Sequence, residues 1–334
     1  MLKSRLSVAC LFAFSTVAVA APHGILPGDI DRKGDACTDF YQYANGSWRA
    51  QNAIPDYMDR WSRRWQSGEV NREHVRDILN EVSARKDWPK GTAEQLSGDF
   101  YAACMNEGAV NALGLAPVQP MLDEVRAITD RAGINRAITR FSAVGMAVPF
   151  AFYGQQDLHD PSMVVANLDA GGLGLPDRDY YLKTEARFVE ARAKYLEHVQ
   201  KMFELAGIAP AAAKAKAATV FAFEKRLAEA SLDNVALRDP VQQDHSMDFA
   251  ALQKLAPSFD WAAYLDAAKV PRADLNVTQP AFLARFDREL STAPVADWRD
   301  YLEWNVLNNA ADGLSQPFVE QNFAFYGKYL SGAT

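Results

Sequence analysis

Segment 167–182 constrains the local fold more than any other part of this 334-residue chain. Three small apolar residues, 164–166, precede it and favour a short strand, whereas a long helical pattern follows it. Gly171, Gly172 and Gly174 allow a positive φ and let other groups approach the backbone closely. We therefore expect a strand, a glycine-rich turn and a helix to follow one another here.

This glycine-rich turn lacks the features of a phosphate-binding loop. Its glycines do not have the Gly-x-Gly-x-x-Gly spacing, and no Gly-Lys-Ser or Gly-Lys-Thr follows them. Pro176, Asp177 and Asp179 instead suit a helix start, where a carboxylate accepts bonds from free N–H groups. Tyr180 and Tyr181 bring large rings whose hydroxyls need partners when buried. A structural strand-to-helix turn explains all of these residues.

Most of the remaining chain has the apolar spacing of helices. The sequence predicts helices at residues 70–82, 92–104, 118–129, 134–143, 188–206, 210–230, 248–255, 260–265, 280–286, 297–311 and 318–330. Residues 148–153 and 162–168 favour two short strands joined by a polar turn. The expected fold is therefore mainly α, a multi-helix lobe with a small β ribbon.

Composition and the N-terminus indicate a secreted globular protein. The chain is 49% hydrophobic and carries a net charge of −7 without a basic stripe, which argues against nucleic-acid binding. Lys3 and Arg5 precede an apolar run, 6–19, that ends in a small-x-small cleavage pattern. We expect residues 1–20 to be a signal peptide and 21–334 to be the mature part, secreted or periplasmic, with no membrane span after cleavage.

The two cysteines of the mature part are too few for a disulfide scaffold. Cys37 and Cys104 could pair with each other or with a partner outside this chain, since an oxidising compartment allows either. Their spacing does not decide between these alternatives.

The sequence names no catalytic residue and no metal ligand. It contains five histidines but no His-Glu-x-x-His, the spacing that places two imidazoles on one helix face for zinc. We interpret His74 as a structural residue rather than a ligand, and the adjacent pairs Glu73-His74 and Glu197-His198 as helix-surface residues. Segment 244–246, Asp-His-Ser, contains triad residue types, but we interpret it as a turn because triads form in space rather than in sequence.

Several blocks resemble the neprilysin and endothelin-converting-enzyme family of zinc metallopeptidases. The turn above, Gly-Gly-Leu-Gly-Leu-Pro-Asp-Arg-Asp-Tyr-Tyr at 171–181, is similar to a family signature. So is 35–48, with Asp-Phe-Tyr-Gln-Tyr-Ala at 39–44, and so is Asn-Ala-Ile-Pro at 52–55 followed by Arg60. Further blocks occur at 100–104, 113–117, 238–240, 252–261 and 314–327, all in family order.

This resemblance implies that the chain corresponds to the N-terminal, mainly helical part of a zinc metalloendopeptidase. In the family, that part helps to form a lobe over an internal chamber, and a C-terminal catalytic domain supplies the zinc ligands and the catalytic glutamate. That domain is expected to be absent from this chain, so that zinc belongs to the full-length enzyme and the chain alone is inactive. Its expected partners are peptide substrates and the missing catalytic domain.

One substrate-binding residue follows from the resemblance. Arg60 matches a family arginine that contacts the C-terminal side of the substrate, where a guanidinium suits a carboxylate; a surface arginine is the alternative. A gapless alignment places Trp65 where some members carry an aspartate, and Asn45 replaces a family cysteine. By the same resemblance, the partners of Cys37 and Cys104 lie beyond residue 334.

Three hypotheses follow from these observations. The first is a truncated metalloendopeptidase, the second a non-catalytic secreted peptide-binding protein derived from that family, and the third an unrelated helical periplasmic enzyme acting on polysaccharides. The order of the blocks favours the first two. A lobe without its catalytic partner is also expected to expose an apolar face.

Overall fold

The computed structural model of the protein describes residues 26–333. The predicted signal peptide, 1–20, lies outside these residues and stays a prediction. The chain divides into two compact units at Glu73 and His74.

The first unit is a small helical segment stabilised by side-chain contacts. It contains a 3-10 turn, Pro27–Asp29, helix α1, Phe40–Gln51, and the beginning of helix α2, Arg63–Ala84. Asp39 caps α1 by accepting the Gln42 N–H. Arg63 forms an ion pair with Asp29 at 2.6 Å and lies 5.4 Å from the ring centre of the buried Trp48. Helix α1 was not predicted from the sequence.

The second unit contains the remaining helices. Its α-helices are α3, Ala93–Cys104; α4, Glu107–Leu113; α5, Gln119–Arg126; α6, Arg131–Ala143; α7, Asp179–Leu182; α8, Ala186–Leu205; α9, Pro210–Ala230; α10, Phe249–Leu255; α11, Trp261–Ala268; α12, Pro280–Thr292; α13, Val295–Ala310; and α14, Gln316–Asn322. A π-helical segment, Phe323–Leu330, follows α14. Thr92, Asp248 and Asp260, at which three of the predicted helices begin, each cap a helix by accepting a backbone N–H, which confirms these helix starts.

A four-stranded sheet replaces the predicted two-stranded ribbon. Strands β1, Phe150–Gln156, and β2, Val164–Ala170, form the expected antiparallel pair, and the short strands β3, Ser246–Met247, and β4, Leu275–Val277, extend it. The strand order is β1-β2-β4-β3, with β4 parallel to β2 and antiparallel to β3. The mainly helical fold is confirmed, but strands of two and three residues are too short to produce a recognisable pattern.

The core of the second unit forms around α13 and α9. Eight residues of α13 are buried, including three large aromatics, so this helix is surrounded by protein on most sides. Phe223 of α9 stacks on Tyr301 of α13 with ring centres 4.4 Å apart and contacts Trp298 edge-on at 4.7 Å. These two helices thereby form one wall behind the glycine-rich turn.

None of the helices in residues 26–333 is long and apolar enough to cross a membrane.

The three tryptophans of α11 and α13, Trp261, Trp298 and Trp304, are buried, as expected for core residues rather than for residues that bind sugar rings at a surface.

Candidate functional site

Arg60 is the only residue to which the sequence assigned a substrate contact, and it lies at the surface of the first unit. Its side chain is 64% exposed and forms an ion pair with Asp59 at 2.6 Å. The guanidinium Nε and Nη2 donate to both carboxylate oxygens, and these hydrogen bonds lower the pKa of Asp59. Nη1 donates to no described group, so the outer edge of the guanidinium remains available to a second carboxylate.

The guanidinium of Arg60 lies over the ring of Trp65. The guanidinium carbon lies 5.7 Å from the Trp65 ring centre, a distance at which a cation is attracted to the aromatic face. The acidic neighbour of Arg60 is therefore Asp59, whereas Trp65 limits the directions in which the guanidinium can turn. This geometry is compatible with carboxylate binding, and the substrate contact of Arg60 stays a prediction.

The described residues do not fit a catalytic zinc site. Residues 26–333 contain no group of three or more His, Cys, Asp or Glu side chains placed to hold a metal ion. The histidines are separated: His159 Nε2 pairs with Asp244 at 2.8 Å, His198 is buried against aromatic rings, and His74 is exposed. The donor set therefore supplies neither the zinc ligands nor the general base of a metallopeptidase.

The acidic and triad-like motifs have structural roles. Asp177 accepts the Asp179 N–H at 2.8 Å and the Asn234 side-chain N–H at 2.7 Å, so this pair shapes the turn before α7. Asp244 pairs with His159 rather than with its neighbour His245. The turn interpretation of 244–246 needs correction, because Ser246 begins β3.

A buried carboxylic acid lies behind the glycine-rich turn and was not recognised in the sequence. Glu224 of α9 is fully buried and accepts hydrogen bonds from Tyr181 at 2.9 Å, from Tyr195 at 2.8 Å and from the Trp304 indole at 3.2 Å. Burial raises the pKa of Glu224 to about 8, although these donors and the Gly174 N–H act in the opposite direction. Glu224 is therefore predominantly protonated at neutral pH.

Two more tyrosines hold the turn against this cluster. Tyr301 donates to the Gly172 carbonyl at 2.8 Å, and Tyr326 donates to the Gly174 carbonyl at 2.9 Å. Gly172 has φ +70°, and a Cβ at Gly174 would lie 1.9 Å from the Tyr195 hydroxyl oxygen. The predicted positive φ and close approach are thereby confirmed. Glu224 is inaccessible to solvent, and the tyrosines around it hold the turn in position.

The prediction that His198 lies on a helix surface is wrong. Its side chain is 1% exposed, stacks on Phe325 with ring centres 4.8 Å apart, and shares a hydrogen bond with the Gln321 amide at 3.1 Å. Desolvation lowers the pKa of His198 to about 3, so the ring is neutral at physiological pH. His74 is exposed on α2, which confirms its expected position on a helix surface. Cys37 and Cys104 are both free, exposed thiols.

Comparison with known proteins places this fold among peptidases. The family model described as peptidase family M13 matches residues 36–334. Endothelin-converting enzyme 1 from Homo sapiens is 26% identical over 325 residues, which cover 93% of this chain and 41% of the enzyme. The corresponding enzyme from Cavia porcellus is 27% identical over 305 residues, covering 87% and 40%. The chain thus spans about two fifths of the length of these curated relatives.

Solved structures share the same architecture. An inhibitor complex of the zinc metalloprotease ZMP1 from Mycobacterium tuberculosis superposes with a TM-score of 0.84 at 28% identity. The superposition covers 94% of this chain and 48% of the matched chain. PEPO from Lactobacillus rhamnosis shares the fold, with a TM-score of 0.75 at 21% identity over 88% of this chain and 46% of the matched chain.

Proposed function

Because this chain belongs to peptidase family M13, we propose that it forms the N-terminal, mainly helical part of a secreted zinc metalloendopeptidase that hydrolyses peptides. The family match over residues 36–334 carries this proposal, and the fold shared with a zinc metalloprotease at a TM-score of 0.84 supports it. The chain would help to enclose peptide substrates, while a catalytic part of the parent protein would supply the zinc and its ligands. Without that part, the chain would be inactive.

Arg60 is the residue through which this chain would contact a substrate. Its exposed guanidinium keeps Nη1 free of described partners, while Asp59 and Trp65 restrain the rest of the group. A peptide's terminal carboxylate could therefore bind at the outer edge of the guanidinium by a charge-assisted hydrogen bond. Peptides that end in an amide would lose this contact.

The test begins with the reading frame that contains these 334 codons. The complete protein is expressed, its hydrolysis of an internally quenched peptide is measured, and chelation with zinc restoration identifies the metal requirement. We expect zinc-dependent cleavage by the complete protein and none by residues 1–334 alone. A complete frame that encodes no His-Glu-x-x-His would contradict the proposal and favour the alternative, a non-catalytic secreted peptide-binding protein.

Arg60→Ala in the active protein is the first residue-level prediction. We expect kcat/KM to fall about tenfold for a peptide with a free C-terminal carboxylate, because one charge-assisted hydrogen bond is lost. The same peptide as its C-terminal amide should be cleaved equally well by both proteins. Arg64→Ala is the matched control, since Arg64 is an exposed arginine of the same unit. Equal losses for both peptides would show that Arg60 has only a structural role.

A further inference from the structure

An open groove runs along helix α6 and reaches strand β1. It consists of two adjoining cavities of about 790 and 550 Å³, which share Thr139, Ala143 and Ala267 as lining residues. The larger cavity extends between α6 and α11 as far as Arg136. The smaller cavity ends against Gly154 and its strand neighbours. All of these residues belong to the second unit, whereas Arg60 belongs to the first.

Strand β1, which lines this groove, also carries unpaired backbone groups along the edge of the sheet. It is an edge strand whose only neighbour in the described sheet is β2. The Asp157 N–H donates to the Met163 carbonyl at 3.0 Å, which marks the hydrogen-bonded phase of the antiparallel pair. Because such pairs alternate, the N–H and C=O groups of Phe152 and Gly154 point away from β2. The Leu168 carbonyl, opposite Phe152, points toward β4 and accepts the Thr278 N–H, in agreement with this phase.

Gly154 leaves this strand edge open. The residue is exposed, has no side chain to cover the backbone, and lines the smaller cavity together with Phe152 and Tyr153. Native proteins usually protect a free strand edge with charges, proline or a covering element, since it is a template for another strand. None of these protections is present at residues 152–154 in the described structure.

The far end of the groove carries a positive charge without a partner. Arg136 is exposed, and no described residue forms a hydrogen bond or an ion pair with it. Arg140, one turn further along α6, is already paired with Glu124 at 2.9 Å. The acid lining this cavity, Asp260, caps α11 by accepting the Ala263 N–H at 3.0 Å. Arg136 is therefore available to a ligand carboxylate.

We propose that this groove binds an extended peptide segment that carries a carboxylate. The segment adds to β1 as a further strand through its backbone, and its carboxylate pairs with Arg136. From Ala143 to Arg136 the helix rises about 10 Å, a distance that roughly three extended residues span. A segment that follows α6 over this distance therefore needs about three extended residues to reach Arg136. The proposal rests on the proposed function for its ligand class, but binding here requires no catalysis.

The strand pairing is tested with the full chain and a fluorescein-labelled peptide, Thr-Val-Thr-Val-Thr-Val-Glu, followed by anisotropy. Because only alternate amides of an added strand face β1, methylating the amide nitrogens in one alternating phase should abolish saturable binding. Methylating the other phase should leave it unchanged. Equal effects of the two methylation patterns, or no saturable binding up to about 1 mM peptide, would overturn the proposal.

The charge contact is tested with Arg136→Ala. We expect binding to weaken roughly threefold to fivefold, the effect of an exposed charge pair. A peptide with Gln and a C-terminal amide in place of the terminal Glu should bind both proteins equally. Arg76→Ala, which removes an exposed arginine of α2 outside the groove, should change nothing. Unaltered binding by Arg136→Ala would overturn the carboxylate contact. Because this assay uses the chain without zinc or hydrolysis, its failure is distinguishable from failure of the peptidase proposal.

Discussion

At the scale of single residues, Glu224 and His198 have pKa values shifted by burial in ways that oppose each other. Burial raises the pKa of Glu224 from 4.5 to about 8, so the folded protein binds a proton that the unfolded chain releases. Desolvation lowers the pKa of His198 from 6.5 to about 3, so the unfolded chain binds a proton that the folded protein lacks. The two contributions to the pH dependence of stability therefore have opposite signs.

The sign of each contribution defines a pH window. The stability contributed by protonated Glu224 is fully present below pH 4.5 and is lost as the pH rises toward about 8. The stability associated with neutral His198 is present above pH 6.5 and is lost as the pH falls toward about 3. Between pH 4.5 and 6.5 the two slopes cancel. Between pH 6.5 and 8, Glu224 is the one of these two groups that makes stability depend on pH.

We predict that the free energy of unfolding falls by about 2 kcal/mol between pH 6.5 and 8. Over this range, unfolding releases about one proton, the one bound by Glu224 in the folded protein. Glu224→Gln keeps the shape and the acceptor but does not titrate, so its free energy of unfolding should be nearly constant there. Urea unfolding followed by tryptophan fluorescence at both pH values measures the difference. Glu197→Gln, on the exposed side of α8, should retain the wild-type dependence. The same slope in Glu224→Gln would contradict the assignment.

The sequence could indicate His198 but not Glu224. Tyr195, His198, Val199 and Met202 follow the helical period, so the buried stripe that contains His198 was recognisable. The surface position was predicted from its neighbour Glu197, which is exposed although His198 is not. Glu224 lies in an alanine-rich helix, and its hydroxyl and indole partners are 29 to 80 residues distant in sequence. Only the tertiary packing of α7, α8, α9 and α13 brings these groups together.

At the scale of elements, the glycine-rich turn between β2 and α7 is fixed by what lies against it. Gly172 combines a positive φ with a space that the Tyr301 hydroxyl and Pro149 fill, and Gly174 faces Tyr195. A methyl group at either glycine would collide with a ring that belongs to the hydrogen-bonded cluster around Glu224. The turn therefore tolerates no side chain at these two positions.

Gly174→Ala should lower the free energy of unfolding by about 3 kcal/mol, the upper range for overpacking in a core. The added Cβ would lie 1.9 Å from the Tyr195 hydroxyl and 2.7 Å from its ring carbon, so the ring must move away from Glu224. Chemical denaturation at pH 6.5 measures the loss. Gly108→Ala in α4 is the control, since no atom lies closer than 3.8 Å to its new Cβ. It should stabilise the protein slightly, by about 0.5 kcal/mol. A Gly174→Ala protein as stable as the wild type would contradict the close packing.

Elements with a local chemical signal were predicted well, and those formed by long-range pairing were not. Thr92, Asp248 and Asp260 marked helix starts because a capping side chain acts within three residues of its own position. Helix α1 was missed because Gly46 interrupts its aromatic residues, although Gly46 is buried and leaves only 2.8 Å between a Cβ placed there and the Cβ of Asp31. Strand β4 exists because β2 pairs with it from 109 residues away.

At the scale of the whole chain, the apolar surface expected for a lobe without its partner has a counterpart on helices α3 and α4. Leu96, Phe100 and Leu113 are 58%, 74% and 54% exposed. Phe100 also lines a cavity of about 660 Å³ together with Val110 and Val319. Exposed apolar surface of this kind favours association.

We predict that residues 1–334, expressed without further protein, self-associate as their concentration rises. Burying an exposed Leu or Phe side chain contributes about 2 kcal/mol to association. Replacing Leu96 and Phe100 with serine should therefore shift the equilibrium strongly toward monomer. Sedimentation velocity of Leu96→Ser/Phe100→Ser over a concentration series measures the monomer fraction. Val235→Ser, at a 78% exposed residue in the loop after α9, removes apolar surface elsewhere and should associate like the wild type. A wild-type chain that stays monomeric at every concentration would show that the apolar surface of α3 and α4 does not cause self-association. Equal relief by Val235→Ser would show that general hydrophobicity, rather than the α3–α4 surface, causes the association.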